Sequence, residues 1–253
     1  MLLHQKVIFL TGGSKGIGAD CAKAYAKEGA LLAITARGKS EIDAIISEIG
    51  GDHLSLPCDV SDETQVKLAI EKTITHFGRI DAIHNNAGIA TPSKALHETS
   101  TEEWDNLMNI NLKSLYLTTK YGFEALKATK GTILNTSSLV GVIGQEIHAA
   151  YSATKGAMNT LTKSMALDYA KYGIRVNAVA PAGVWTPMLR DWAKEQPNTQ
   201  EIETYLDKIH PLGYCPSGDV VADTCVFLLS DKARFITGCI MPISGGAELG
   251  YKL

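Results

Sequence analysis

The sequence lacks the features that direct a chain into a membrane or onto nucleic acid. No segment approaches the roughly 18 continuous apolar residues of a membrane span. With 24 Lys+Arg against 27 Asp+Glu, the net charge is −3 and like charges form no long run, so we expect no nucleic-acid partner. The short apolar start MLLHQKVIFLTGG enters a glycine turn without a small-residue cleavage pattern, so we expect a cytoplasmic protein without a membrane partner.

Cysteine is scarce and has no metal-binding pattern. There are five cysteines, an odd number, and none are spaced as CxxC: Cys21, Cys58, Cys215, Cys225 and Cys239. This pattern favours buried free thiols in a reducing compartment over a disulfide framework, and it predicts no metal site.

Short apolar runs alternate with longer helical patterns in a chain of globular composition, 45% hydrophobic and 20% charged. The predicted strands are Lys6–Leu10, Leu31–Thr35, Leu54–Pro57, Ile80–Asn85, Gly131–Ser137, Ile174–Pro181 and Cys239–Ile243. Helical patterns include Glu63–Phe77, Glu102–Ala128 and Ala153–Tyr172. Most strands lack clean alternation, as in strands buried on both faces. We predict a single α/β domain over 1–253, with a doubly wound, mainly parallel sheet.

One segment breaks this rhythm. From Gly183 to about Pro216, prolines interrupt short helical pieces. Ligands of open α/β sheets lie outside the carboxyl ends of the strands. We therefore interpret 183–216 as a substrate-binding segment, with a plain structural loop as the alternative.

The first strand leads directly into a glycine-rich turn, Thr11-Gly-Gly-Ser-Lys-Gly-Ile-Gly18, and then into a helix that starts AKAYAKEG. Glycines permit a tight turn and close approach to a pyrophosphate, whose charge is met by helix N-terminal N–H groups. The position of the turn favours dinucleotide binding over an ordinary turn. The candidate residues are Gly12, Ser14, Lys15, Gly16, Ile17 and Gly18.

The second strand ends in Thr35-Ala36-Arg37, without the carboxylate that would accept ribose hydrogen bonds from NAD. Arg37 offers a charged fork to the 2′-phosphate of NADP, and Lys15 is a second cation for it. We predict a preference for NADP, with NAD as a secondary cofactor. The alternative is that Arg37 and Lys15 are ordinary solvated charges.

Two further polar turns follow predicted strands at the same edge. Asp59 and Val60 follow the third strand, and Asn86, Ala87 and Gly88 follow the fourth. The aspartate suits an adenine amine, and the small residues suit the space beside a ribose. Turn chemistry alone also explains each of them.

Tyr151 and Lys155 are four residues apart in a helical pattern, so they share one face. A nearby ammonium favours the phenolate and lowers the pKa of a phenol. Ser138, with Ser137 as the competitor, follows a predicted strand and could share a carbonyl oxygen with Tyr151. A surface Tyr/Lys pair is the alternative.

Asn111 lies on the apolar stripe of its predicted helix. A buried amide must find hydrogen-bond partners. Holding a water beside Lys155 would provide them together with a proton route, while capping nearby backbone is the alternative.

These motifs, in this order along essentially the whole chain, resemble the single-domain branch of the short-chain dehydrogenase/reductase family. The resemblance implies a Rossmann-type fold with a seven-stranded parallel sheet, and hydride transfer between a nicotinamide and an alcohol or ketone. It implies that Tyr151 is the general acid/base, Ser138 positions the carbonyl, Lys155 binds the ribose and tunes Tyr151, and Asn111 supports the relay. It further implies nicotinamide contacts from Pro181, Val184 and Thr186, and a homotetramer or dimer.

The segments SSLVGVIGQ, VWTPM and GGAELGYKL resemble the subgroup of L-fucose and 17β-hydroxysteroid dehydrogenases. That resemblance implies a pocket lined by Gln145, His148 and Trp185, although each also has an ordinary structural explanation. Two departures bear on these resemblances: Ala182 stands where the family's P-G turn usually has glycine, and Ala36-Arg37 replaces the acidic pattern expected of an NAD-using fucose dehydrogenase.

We therefore expect an NAD(P)-dependent oxidoreductase acting on a secondary alcohol or ketone, with a sugar such as L-fucose as the most specific hypothesis. A 3-oxoacyl-thioester reductase and a non-catalytic NADP-sensing regulator remain alternatives. Tyr251, near the end of the chain, is a candidate for reaching a neighbouring subunit's pocket.

Overall fold

The protein folds around one parallel sheet. A computed structural model describes residues 1–194 and 198–250, so the hypothesis for Tyr251 lies outside the described residues. The strands are β1 (Val7–Thr11), β2 (Leu31–Ala36), β3 (Leu54–Pro57), β4 (Ala82–Asn85), β5 (Thr132–Thr136), β6 (Arg175–Pro181) and β7 (Ile240–Ile243). They form one sheet in the order β3-β2-β1-β4-β5-β6-β7, and all six pairings are parallel. The predicted seven-stranded, doubly wound fold is confirmed.

Helices cover both faces of the sheet. In the described ranges they are α1 (Gly16–Lys27), α2 (Lys39–Ile49), α3 (Glu63–Phe77), α4 (Thr101–Met108), α5 (Ser114–Thr129), α6 (Ala149–Tyr169), α7 (Pro187–Lys194), α8 (Thr199–Lys208) and α9 (Asp219–Leu229). Along β1, Ile8 and Leu10 pack with α1, α2 and α9, whereas Phe9 packs with α3, α5 and α6. Successive side chains of a strand point to opposite faces, so strands with two buried faces need continuous apolar runs.

Two predicted helices begin or continue differently in the structure. Helix α1 begins at Gly16, inside the glycine turn, so its first residues belong to both motif and helix. The pattern predicted as one helix over Glu102–Ala128 is divided by a π-helical segment, Asn109–Lys113, between α4 and α5. Such π segments insert an extra residue into the turn and are frequent at functional sites. Asn111 lies in this segment.

The parallel register brings the sequence motifs to one edge. Because Thr11 lies opposite Thr35 and Leu10 opposite His84, the segments after β1, β2 and β4 leave the sheet side by side. The predicted substrate segment, 183–216, contains α7 and α8; its residues 195–197 lie outside the described part of the chain.

The cysteines are unbonded, and four of the five are buried. Across residues 1–194 and 198–250, no helix is long and apolar enough to cross a membrane. The same residues contain no group of three or more His, Cys, Asp or Glu side chains arranged to hold a metal ion.

Candidate active site

The glycine turn is packed so tightly that two of its positions exclude any side chain. Gly12 has φ +64°, and a Cβ there would lie 2.8 Å from Ala87 Cα. A Cβ on Gly18 would lie 2.1 Å from the carbonyl oxygen of Gly12. Since non-bonded atoms do not approach so closely, both glycines are required by packing.

The start of α1 has unsatisfied N–H groups. Its N-cap, Lys15, makes no side-chain cap, and its first turn contains no acidic residue. The first N–H groups of a helix lack backbone partners and carry positive partial charge. Together with the close-packed glycines, they form a backbone cradle that fits the pyrophosphate of a dinucleotide. Ser14 and Ile17 are partly exposed in this cradle.

The cradle is joined to the segment after β4. Thr11 Oγ1 accepts hydrogen bonds from the N–H groups of Asn86 and Ala87, both at 3.0 Å. A Cβ on Gly88 would lie 3.2 Å from Asn111 Oδ1 and 3.7 Å from Lys155 Nζ. The small residues of this segment therefore bring the glycine turn close to Lys155.

The predicted adenine-binding pair has local contacts of its own. Asp59 Oδ1 accepts hydrogen bonds from the N–H of Ser61 at 2.9 Å and from its hydroxyl at 2.7 Å. Val60 is buried. The Asp59 contacts are those of an Asx turn, so turn chemistry accounts for this side chain as well as ligand binding does.

The two predicted phosphate-binding cations differ in their surroundings. Arg37 is exposed just beyond β2. Lys15 forms an ion pair with Glu41, with Nζ 3.5 Å from Oε1. The backbone N–H of Glu41, the Ser40 hydroxyl and the Lys15 ammonium hold the pKa of the Glu41 carboxyl below its ordinary value. A carboxylate that the sequence analysis did not single out thus lies beside the predicted phosphate site.

Tyr151 lies in the first turn of α6, and the Ser138 hydroxyl is near enough to influence the pKa of its phenol. Desolvation raises the pKa of the phenol, and the neighbouring Ser138 hydroxyl opposes that shift. The competitor Ser137 is buried and donates to Asn159 Oδ1 at 2.6 Å. The structure therefore brings Ser138, and not Ser137, together with Tyr151.

Lys155 lies one helical turn after Tyr151 and is buried. Its Nζ donates to the Thr136 carbonyl oxygen at 2.7 Å and lies 5.7 Å from the centroid of the Tyr151 ring. Burial lowers the pKa of Lys155 to about 8. We expected the ammonium to lower the pKa of Tyr151; instead desolvation dominates and raises it, because both groups lie in the same low-dielectric environment.

Asn111 is fully buried, and its amide clamps the backbone of Ile89. Oδ1 accepts from the Ile89 N–H at 2.8 Å, and Nδ2 donates to the Ile89 carbonyl at 2.8 Å and to Thr154 Oγ1 at 3.2 Å. Both amide hydrogens are therefore used. The alternative of backbone capping describes these contacts, and the water relay stays a prediction.

The three predicted substrate residues are in different situations. Gln145 is exposed. His148 is buried, with Nε2 3.0 Å from Ser93 Oγ and Nδ1 2.9 Å from the Glu146 carbonyl, so both ring nitrogens already have protein partners. Trp185 is partly exposed, and the guanidinium of Arg190 lies 4.9 Å from its ring centroid.

The segment after β6 returns to the glycine turn. Pro181 and Val184 are buried, and Thr186 is so near that a Cβ on Gly16 would lie 3.2 Å from it. Of the three predicted nicotinamide contacts, Pro181 ends β6 and Thr186 lies against the glycine turn.

Sequence reasoning missed four polar side chains behind this site. Tyr25, His84 and Thr136 are buried and connected to one another, and Glu41 pairs with Lys15. The available signal was a histidine within the fully buried strand β4, since a buried polar group requires a partner.

Comparison with known proteins identifies the family. A family model described as enoyl-(acyl carrier protein) reductase matches residues 12–248. The chain is 39% identical to an L-fucose dehydrogenase from Bos taurus over 97% of this chain and 90% of the relative. It is 37% identical to a 2,5-dichloro-2,5-cyclohexadiene-1,4-diol dehydrogenase from Sphingobium indicum over 96% of this chain and 97% of the relative.

A solved structure, a 3-ketoacyl-(acyl-carrier-protein) reductase from Brucella melitensis complexed with NADH, superposes with a TM-score of 0.90 at 31% identity. The match covers 96% of this chain and 98% of that one. The chain belongs to the short-chain dehydrogenase/reductase family. This confirms the predicted class, an NAD(P)-dependent oxidoreductase acting on an alcohol or its carbonyl.

Proposed function

We propose that the protein oxidises a secondary alcohol, with a sugar such as L-fucose as its substrate, and that it prefers NADP. The observation that carries the catalytic part is the proximity of Ser138, Tyr151 and the buried Lys155 at the sheet edge that carries the glycine cradle. A bound nicotinamide supplies the hydride acceptor in oxidation and the donor in reduction.

The chain's own residues handle the proton. Tyr151 takes the proton of the substrate hydroxyl during oxidation and returns it to the carbonyl oxygen during reduction. Ser138 donates a hydrogen bond to that oxygen, where negative charge develops. Lys155 holds positive charge beside the phenol and the cofactor ribose, and Asn111 supports the proton relay.

The NADP preference rests on Arg37, whose exposed guanidinium follows β2 with no carboxylate at the strand end. Guanidinium groups bind phosphate through paired charged hydrogen bonds. Lys15 adds a second cation, although its ion pair with Glu41 reduces the charge it offers. The remaining cofactor contacts that we propose come from the glycine turn, Asp59 and Val60, Asn86 to Gly88, and Pro181, Val184 and Thr186.

The sugar substrate is supported by the relatives named L-fucose dehydrogenase. We place its binding within 183–216, with Trp185, and with Gln145 from the loop before α6. His148 would act by shaping this loop, because its ring nitrogens already bind Ser93 and Glu146. Reduction of a 3-oxoacyl thioester is the second candidate, supported by the superposition on a 3-ketoacyl reductase.

The deciding experiment follows reduced-nicotinamide absorbance with NADP and with NAD. L-Fucose, D-arabinose and several hydroxysteroids are offered for oxidation, and an acetoacetyl thioester for reduction. Saturable sugar oxidation with a higher kcat/KM for NADP is expected. Thioester reduction without sugar oxidation would favour the second candidate, and NADPH binding without turnover of any of them would favour a sensor.

We also propose that the protein forms a homodimer or homotetramer through α5 and α6. A groove of about 560 Å³ along these helices is lined mainly by apolar groups, including Met108, Leu112, Tyr116 and Leu161. Tyr116 is 54% exposed, and exposed apolar patches of this kind mark interfaces. Light scattering after size exclusion should give a multiple of the 27.1 kDa chain mass, and Leu112→Asp should lower it. A monomeric wild-type protein would contradict the proposed oligomer.

The cytoplasmic location stays a prediction.

A further inference from the structure

A line of buried polar side chains runs behind the glycine turn. Tyr25 of α1 and His84 of β4 are each 0% exposed, and the Tyr25 hydroxyl lies 2.9 Å from His84 Nδ1. His84 Nε2 lies 2.9 Å from Thr136 Oγ1, and that hydroxyl lies 3.3 Å from Asn86 Oδ1. Buried polar groups of this kind need hydrogen-bond partners, so each of these side chains must find its partners within the line.

The direction of every hydrogen bond follows from the far end. Asn86 Nδ2 lies 3.1 Å from the Thr11 carbonyl oxygen and 3.0 Å from that of Gly12. Carbonyl oxygens only accept, so these contacts identify the amide nitrogen and leave Oδ1 facing Thr136. Because Oδ1 also only accepts, the single hydroxyl hydrogen of Thr136 points to Asn86.

This fixes the tautomer of His84. With its hydrogen used on Asn86, the Thr136 hydroxyl can only accept from His84 Nε2, which must therefore carry a hydrogen. In the neutral imidazole Nδ1 is then bare and accepts from the Tyr25 hydroxyl. The thiols of Cys21 and Cys225 also lie beside Tyr25, but thiol sulfur is a weak acceptor, so the ring nitrogen is the stronger partner.

The line ends on the atoms that shape the cofactor cradle. The Asn86 amide holds the carbonyls of Thr11 and Gly12, and a Cβ on Gly18 would lie only 2.5 Å from Asn86 Nδ2. Thr136 also accepts the Lys155 ammonium on its main-chain oxygen. One residue thus touches the groups that hold the glycine turn and the proposed proton-transfer pair.

We propose that Tyr25, His84 and Thr136 are positioning residues for cofactor binding, with the Nε2–H tautomer of His84 directing the Thr136 hydroxyl onto Asn86. They touch neither substrate nor cofactor; they keep the Asn86 amide oriented so that the glycine turn stays closed around the phosphate-binding N–H groups. The inference rests on the proposed nicotinamide binding at that turn.

The first test reads the tautomer in the full-length protein without cofactor. Long-range ¹H–¹⁵N spectra of the histidine rings, assigned with His84→Gln, should show Nε2 protonated and Nδ1 bare. A ring protonated on Nδ1 alone would reverse the line and overturn the proposal, whether or not the protein binds a nicotinamide.

The second test separates positioning from general destabilisation. Thr136→Val removes the hydroxyl and Thr136→Ser restores it; Thr73→Val is the matched control, because Thr73 is also buried and its hydroxyl donates within α3. Thr136→Val should raise the NADPH dissociation constant about tenfold while kcat at saturating cofactor changes by less than about twofold. Thr136→Ser should return affinity to within about threefold of wild type.

Calorimetric binding and melting temperature are measured on all variants. Equal melting losses in Thr136→Val and Thr73→Val, with equally unchanged NADPH affinity, would overturn the positioning role. Wild type that binds neither NADPH nor NADH would instead overturn the proposed function, and the histidine spectra would still decide the direction of the hydrogen-bond line.

Discussion

The cofactor side and the proposed substrate side of the site differ in how tightly their main chain is packed. On the cofactor side the backbone itself sets the shape, and a Cβ on Gly12 or Gly18 would overlap main-chain atoms of Ala87 or Gly12. On the proposed substrate side, in the loop that carries Gln145, Gly144 has nothing within 4 Å of an added Cβ, and Val142 and Ile143 are 60% and 43% exposed. The comparison suggests that cofactor binding depends on packing of the main chain, and substrate choice on exposed side chains.

The sharpest way to test this difference is to add the same methyl group on each side. Gly18→Ala places a Cβ 2.1 Å from the Gly12 oxygen, so we expect loss of NADPH binding by at least about 100-fold and a stability loss of about 1–3 kcal/mol. Gly144→Ala is the control and should leave both within about twofold and 0.5 kcal/mol of wild type. Calorimetry measures NADPH affinity and denaturant unfolding measures stability. Equal losses in Gly18→Ala and Gly144→Ala would contradict the difference between the two sides.

The burial of Lys155 should make the free energy of unfolding depend on pH. Its pKa is lowered to about 8 in the folded state. Between pH 8 and the unfolded value of about 10.4, the folded state has therefore lost this proton while the unfolded state still binds it. The unfolded state binds more protons in that window, and the contribution of Lys155 to stability therefore increases as pH rises.

Lys155→Met should accordingly exceed wild type in free energy of unfolding by up to about 3 kcal/mol at pH 7. The gap should narrow as pH rises from 8 to 10.5. Denaturant melts of the two proteins at three pH values check this, since other titrations cancel in the difference. A gap that is constant or widens with pH would contradict it.

Asn111 lies between the two sides, and its amide holds the Ile89 backbone. Asn111→Leu leaves these groups unpaired, so we expect a stability loss of about 1–3 kcal/mol. If the relay role is right, turnover also falls about tenfold, while the NADPH dissociation constant changes by less than about threefold. Binding lost with turnover preserved would make the residue purely structural.

A further prediction concerns cofactor choice, which should change without a loss of stability. Arg37→Asp should shift the ratio of kcat/KM for NADP over NAD toward NAD by about tenfold or more. Glu41→Gln frees Lys15 and should shift the same ratio a few-fold toward NADP, because an anion beside the phosphate is removed. Steady-state kinetics with both cofactors measure the ratios, and comparable efficiency with both in the wild type would refute the preference.

The sequence predicted the strands and the glycine turn, but not the π-helical segment or the contacts between distant side chains. The seven apolar runs predicted all strands to within one or two residues, because a parallel sheet buried on both faces demands them. The glycine turn was recognisable because only glycine fits its backbone. The π-helical segment around Asn111 was not predicted, since its extra residue leaves the apolar stripe almost unchanged.

The sequence also did not predict contacts between side chains that are far apart along the chain. The pairing of Glu41 with Lys15 and the line from Tyr25 to Asn86 join residues 26 to 59 positions apart, and only the strand order brings them together. The contact of His148 with Ser93, 55 positions away, was not predicted for the same reason, and with the nearby Glu146 carbonyl it occupies both ring nitrogens.

The central claim, that Tyr151 transfers the proton in a nicotinamide-dependent oxidation, is tested most directly by Tyr151→Phe. The variant should fold, bind NADPH within about threefold of wild type and lose turnover by about 100-fold to 10,000-fold. A folded, cofactor-binding Tyr151→Phe protein that oxidises substrate at nearly the wild-type rate would contradict the account.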